Sequence, residues 1–444
     1  MGDTTQVQAS VLYGAKDLRV ETRTLPPPSA GEVQVAVSAT GLCGSDLHYY
    51  RHFRNGNIVV REPLTLGHES AGVVVAVGAQ QRNTLKVGDV VALEVGIPSC
   101  SAAGKGGEGE ECEHCRQGRY NICKGMRFRS SAKSFPHAQG TLQTRLNHPA
   151  AWCHKLSSLP SSSPSSPSDT KALLELGALA EPLSVALHAY KRSGLPSSQS
   201  QKNDGDGGSS NNEKDNGHDN NNNGKTILVL GAGAVGLLCA AVARYRGAKT
   251  VLIADILPER VAFAVTNGFA DAAYVVSSPP SPSNGGGSRT IDEKLAYAQD
   301  VAEEMKAVGE IGEVDATFEC TGVESCMHMA IFATKPGGKI MIIGMGTPVQ
   351  TLPISAASLK EVDLVGVFRY ANTYPVAIEL LLSTLSQNDD ESGGARRGRL
   401  PDISKLVTHR FRGLDSVPAA FDMAGRVKDD EGNLVIKVMV DTSE

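Results

Sequence analysis

The 444-residue chain has a single tryptophan, only 5% aromatic residues and a net charge of −5. So small a charge imbalance gives no general electrostatic case for nucleic acid or an anionic membrane as partner. No run is long and apolar enough to span a bilayer. Residues 1–10 lack the charged-then-apolar layout of a signal peptide, so a cytoplasmic location is expected. No solenoid-type repeat is visible. At 41% hydrophobic content, the chain is globular and long enough for two domains with separate cores.

Cysteine is not scarce, and its placement is informative. In a cytoplasmic protein the nine cysteines are expected to be free, metal-bound or catalytic rather than disulfide-bonded. Cys100, Cys112, Cys115 and Cys123 crowd together. Cys43 stands in Cys43-Gly44-Ser45-Asp46-Leu47-His48, and Cys153 lies alone. Cys239, Cys320 and Cys326 sit in apolar contexts that suit small buried residues.

The texture changes along the chain. Residues 33–37 alternate as a half-buried strand does, 70–78 form a β-branched run, and 86–93 read as a turn entering a strand. From residue 226 onward, apolar strands (226–230, 250–255, 315–319, 339–344) alternate with helical stretches, which implies a parallel sheet. Four polar tracts, 161–169, 197–224, 277–289 and 387–398, cannot bury apolar surface and are expected to be disordered insertions between elements.

Gly231-x-Gly233-x-x-Gly236 follows the first of these strands and opens a helix. Glycines at this spacing allow a tight turn, close approach of backbone to a pyrophosphate, and tight helix–strand packing. The helix N-terminus offers free N–H groups to the phosphates. Asp255 ends the next strand, where a carboxylate accepts from both ribose hydroxyls and repels a 2′-phosphate, so NAD is expected rather than NADP. Arg260 has two readings, an adenine-stacking residue or a solvated helix residue.

Cys43, His68 and Glu69 supply a thiol, an imidazole and a carboxylate, the donor types of a zinc site with an open position. Such a site polarises oxygen and points to chemistry on an alcohol or carbonyl. Ser45 and His48 would carry a proton outward from it, and Tyr49 would add a wall or a hydrogen bond to the substrate. Glu181 begins a helical stretch and is either a first-turn charge favoured by the helix dipole or a further zinc-site residue. Four thiolates at 100, 112, 115 and 123 would make a closed structural zinc site, even with a Gly-rich stretch at 101–111, because loop-closure entropy rises slowly with length. His114, inside the cluster, is left no coordination position.

Together the blocks CGSDLHYY, LGHESAG, GRYNIC, ALAEPLSVALHA, GAGAVGLL, FECTGVES, GVFRYANTYPVAI and LVTHRF resemble the zinc-dependent medium-chain dehydrogenases, polyol branch (sorbitol, xylitol and L-arabinitol dehydrogenases). The resemblance implies an α/β chain: a GroES-like β-rich catalytic domain from 1–182 and 368–444, and a Rossmann coenzyme domain from 183–367. It implies catalytic zinc on Cys43, His68 and Glu69 with Glu181 at the zinc or its water, and polyol contacts from Tyr49, Glu181, Arg369 and Tyr370. It also implies NAD contacts from Val235, Asp255, Arg260, Ile342, Ile343, Gly344, Val367, Phe368 and Arg369, and a homotetramer. The expected reaction is oxidation of a polyol secondary alcohol to a ketose. The alternatives are another alcohol such as threonine, or an NAD-binding scaffold without activity. The Cys100–Cys112 separation is longer than the family's usual CxxC, and Ile58 stands where animal sorbitol dehydrogenases carry an aromatic.

Overall fold

In the computed structural model, residues 4–79, 85–100, 111–156, 167–196, 224–279, 288–385 and 398–443 are described. They divide into two compact units. One lies within Met1–His188, Phe368–Asn388 and Asp402–Glu444, and the other within Ala189–Val367 and Asp389–Pro401.

The first unit is built on a seven-stranded sheet whose main path runs Cys153–Lys155, Val90–Leu93, Glu69–Val77, Glu32–Gly41, Lys437–Asp441, Val407–Arg412; Arg145–Pro149 also pairs with Glu32–Gly41. The alternation at 33–37 suggests one solvated face. Instead Val33, Gln34, Val35 and Val37 are all buried, because Glu32–Gly41 is central and flanked on both edges. Its last residue, Gly41, pairs with Glu69 at the start of Glu69–Val77 and with Met439 of Lys437–Asp441. Three distant segments therefore meet at one sheet end. There the chain leaves the sheet through Leu42 and Cys43 into the helix Gly44–His52. Leu12, Leu42, Tyr49, Leu66, Leu142, Val417, Phe421 and Val440 are among the residues of one apolar core in this unit. Each fully buried aliphatic or aromatic chain there stabilises the fold by roughly 1.5–3 kcal/mol.

The second unit is a parallel six-stranded sheet. Its order is Ala272–Val275, Thr250–Asp255, Thr226–Leu230, Val314–Glu319, Thr334–Ile342, Asp363–Gly366. Numbered within the unit this is 3-2-1-4-5-6, the doubly wound order, whose switch point lies between the first and fourth strands. Continuous apolar strands suit it because both faces are covered by helices. The helix Ala234–Tyr245 begins within the glycine motif, capped by Gly233, and its residues 236–243 are buried.

The bulk of the four polar tracts lies outside the described residues. At their edges some residues are ordered. Asp169 falls in the first turn of the helix Pro167–Ala178, which starts on a proline that a first turn tolerates. Beside the third tract, Tyr297 donates its hydroxyl to the Ser277 carbonyl at 2.5 Å, and Arg289 donates to the Pro279 carbonyl at 3.1 Å. No single helix among the described residues is long and apolar enough to cross a membrane.

Candidate metal centre and dinucleotide site

Because Gly41 pairs with Glu69, the strand end and the helix that follows it bring Cys43, His68 and Glu69 together. One ligand atom from each lies within 4.8 Å of the others. His68 and Glu69 are buried and Cys43 is half-buried. The set of thiol, imidazole and carboxylate fits zinc with a position left for substrate.

Asp46 and Lys437 hold this set in place. Asp46, wholly buried, accepts from His68 Nδ1 at 3.1 Å, from the Gly67 N–H at 3.2 Å and from Ser130 Oγ at 2.5 Å. A carboxylate on Nδ1 orients the ring and leaves Nε2 for a metal. Burial works against the charge on Asp46, yet His68 and these donors hold its carboxyl below the usual range. Lys437 Nζ donates to both carboxylate oxygens of Glu69, at 2.7 Å each, and to the Leu42 carbonyl at 3.2 Å. Burial disfavours the ammonium, but Glu69 and Cys43 outweigh it and raise the Lys437 pKa. Sequence spacing singled out neither residue. The sign of Asp46 was a carboxylate three residues after the cysteine, in the first turn of a helix; Lys437 left no local signal.

Glu181 is buried in the first turn of the helix Ala180–Ser193 and stands outside the 4.8 Å set. Burial pushes its carboxyl up to about 7, with Glu69 adding to the effect and His68 opposing it. Arg369, at a left-handed backbone position (φ 51°), lays its guanidinium over the Phe128 ring at 3.6 Å. His68 also lies beside that ring, at 5.5 Å between centroids. The Tyr370 hydroxyl is buried with no hydrogen-bond partner among the described residues. Tyr49 is buried, and its hydroxyl accepts the Ala132 N–H at 3.3 Å. Ser45 is half-buried and His48 exposed, and no hydrogen bond joins them. Partial burial and the nearby His52 and Arg51 lower the His48 pKa and favour neutral imidazole.

Cys100, Cys112, Cys115 and Cys123 form a second cluster of free thiols. Cys100 Sγ lies 3.6, 3.0 and 3.5 Å from the sulfurs of Cys112, Cys115 and Cys123, and Cys112 lies 3.9 Å from Cys123. Four sulfurs bound tetrahedrally to zinc stand about 3.8 Å apart, so the donor set fits a closed site. His114 lies outside this set, and its Nδ1 is buried with no hydrogen-bond partner among the described residues. Of the remaining cysteines, Cys153 and Cys239 are buried, whereas Cys320 and Cys326 are only half-buried.

In the second unit, a Cβ on Gly236 would fall 1.8 Å from the Gly231 carbonyl oxygen, so helix and turn pack too closely for any other residue. At Gly233 a Cβ would meet nothing within 4 Å, which leaves the backbone open to a phosphate. Val235 is in the first turn of the helix. Asp255 accepts the Ala232 N–H at 2.7 Å and the Leu257 N–H at 3.0 Å, tying the end of its strand to the glycine turn. Arg260 is half-buried and its Nε has no hydrogen-bond partner among the described residues. Ile343 and Gly344 donate their N–H groups to the Glu319 carbonyl at 3.0 and 2.9 Å, and Val367 donates to the Ile342 carbonyl at 2.9 Å. The Glu319 carboxylate, buried at the end of the fourth strand, accepts from the Thr321 and Gly322 N–H groups at 2.8 and 2.9 Å. Phe368 is exposed.

A Rossmann sheet and a β-rich unit with two metal-donor clusters define a dinucleotide-dependent metalloenzyme class. The family model of the alcohol dehydrogenase GroES-like domain matches residues 29–158, and that of the zinc-binding dehydrogenases matches 234–383. Sorbitol dehydrogenase of Gallus gallus is 34% identical over 96% of this chain and 95% of its own. L-idonate 5-dehydrogenase of Vitis vinifera is 32% identical over 97% and 93%. The crystal structure of L-idonate 5-dehydrogenase from Escherichia coli shares the fold, with a TM-score of 0.71, 23% identity and 99% of both chains covered. The chain belongs to the zinc-dependent medium-chain dehydrogenases.

Proposed function

We propose that this chain oxidises a secondary alcohol of a polyol to a ketose, using zinc and NAD. The observation that carries the reading is the convergence of Cys43, His68 and Glu69 in the same unit as Arg369 and the buried Tyr370 hydroxyl. The kinship with sorbitol and L-idonate dehydrogenases supports it. When bound, zinc supplies Lewis-acid polarisation of a substrate oxygen and NAD supplies a hydride acceptor.

The chain's own residues do the rest. Asp46 fixes His68 in the tautomer that offers Nε2. Arg369 and Tyr370 hold hydroxyls flanking the reacting carbon. A substrate lacking one of those hydroxyls leaves a buried group unpaired, which discriminates strongly. Ser45 Oγ takes the alcohol proton as it releases its own hydroxyl proton outward, where neutral His48 takes it up at the surface. Glu181 would stand at the metal or hold its water, and touch the substrate. Gly231, Gly233, Val235 and Gly236 cradle the pyrophosphate, Asp255 takes the ribose, and Arg260, the 342–344 turn and Val367 complete this unit's part of the NAD site. The four-cysteine cluster holds a structural zinc. On the family pattern, the catalytic domain comprises 1–182 and 368–444, the coenzyme domain 183–367, and the working form is a cytoplasmic homotetramer.

Relative kcat/KM for sorbitol, xylitol, L-arabinitol and threonine tests the reading. NADH formation with at least one polyol, by a protein holding two zinc ions per chain, is expected. A zinc-loaded protein inert toward every polyol overturns it. Asp255→Ser tests the cofactor assignment. Losing charge-assisted hydrogen bonds of about 1.5–3 kcal/mol lowers the NAD-to-NADP ratio of kcat/KM by roughly 10- to 100-fold. An unchanged ratio removes Asp255 from the ribose site.

A further inference from the structure

Residues 367–373 belong to neither strand nor helix, yet they carry Arg369 and Tyr370. Arg369 (φ 51°) and Asn372 (φ 58°) both occupy the left-handed region, which asparagine adopts readily but arginine keeps only where its surroundings hold it. Residues of the four-cysteine lobe contact this turn. Between Cys115 and Cys123, three successive contacts reach the turn. The Gly118 carbonyl accepts from Asn372 Nδ2 at 2.7 Å, the Tyr120 hydroxyl accepts the Asn372 N–H at 2.8 Å, and Asn121 Nδ2 donates to the Phe368 carbonyl at 2.7 Å. Tyr120 is itself fixed, donating to Glu94 at 2.5 Å and packing edge-on against Trp152 at 5.0 Å. Ala371, in the middle of the turn, shares one buried cluster with Cys100, Cys115, Tyr120, Cys123 and Trp152.

We infer that the four-cysteine lobe is a positioning element for the polyol: through Gly118, Tyr120 and Asn121 it sets the Phe368–Asn372 turn and thereby the reach of Arg369 and Tyr370. The inference rests on reading those two residues as the hydroxyl contacts. Bringing four thiolates onto one ion shapes the short stretch from Cys115 to Cys123, so the metal acts on substrate recognition as well as on folding. A small displacement of a substrate-holding group is enough to weaken productive binding.

The test compares zinc-loaded wild type with Asn121→Ala, Tyr120→Phe, Asn372→Ala and Asn372→Gly. Three readouts are needed: zinc per chain, steady-state kinetics with a polyol, and amide exchange of the peptide covering 368–373. Asn121→Ala and Tyr120→Phe are expected to keep two zinc ions per chain, raise KM for the polyol about tenfold or more, change kcat less, and speed exchange of that peptide. Asn372→Gly, which keeps the left-handed backbone and its N–H, should fall between wild type and Asn372→Ala. Unaltered KM and unaltered exchange in zinc-replete variants overturn the inference while polyol oxidation stands. If wild type oxidises no polyol, the functional reading fails, and the exchange rates alone decide whether the lobe holds the turn.

Discussion

Replacing Cys43 by alanine is expected to lower polyol kcat/KM by about a thousandfold or more and to reduce bound zinc from two ions per chain to one. Cys43, His68 and Glu69 converge within 4.8 Å, and on the proposed reading they are the protein donors of the catalytic ion. Lewis-acid stabilisation of developing charge is worth several kcal/mol, and each 1.36 kcal/mol is about a factor of ten in rate. The fold should survive, because Cys43 is half-buried at a helix start and its thiol fills no core position. NADH binding should also survive, since the glycine turn and Asp255 belong to the other unit. Metal analysis, polyol turnover and NADH binding on the same preparation separate these effects. Full activity with one zinc per chain would remove Cys43 from the reaction.

Local pattern carried much of the fold. Continuous apolar runs marked Thr226–Leu230 and Thr250–Asp255 because both faces of a parallel strand are buried. The glycine motif marked the turn into Ala234–Tyr245 because Gly236 and Gly231 touch. Each signal lies within a few residues of the structure it specifies. Asp46, Lys437 and the grip of the 115–123 lobe on the 368–372 turn were not legible, for a common reason. Their partners are distant in sequence: 22 positions for Asp46 with His68, 252 for Tyr120 with Asn372, and 368 for Lys437 with Glu69. Periodicity and motif spacing do not encode such pairings; strand register does. The half-buried reading of 33–37 failed similarly, since alternation reports side-chain type and not how many strands flank the segment.

The Glu69–Lys437 pair yields the second large effect. Both groups are almost fully buried, at 1% and 4% exposure, and are joined by two 2.7 Å contacts. Removing one member of a buried ion pair leaves the other charge unsatisfied and typically costs about 3–5 kcal/mol. Lys437→Met is therefore expected to lose stability of that order in chelator-treated protein. With zinc restored, the loss should shrink, because Glu69 then has a cation to face. The double variant Glu69→Gln/Lys437→Met should recover much of the loss in metal-free protein, since no buried charge remains. Urea unfolding of all three proteins, with and without zinc, measures these differences. A Lys437→Met protein as stable as wild type without metal would show that the lysine is not what compensates Glu69. A loss unaffected by zinc would place Glu69 on the lysine alone and take it out of the metal site.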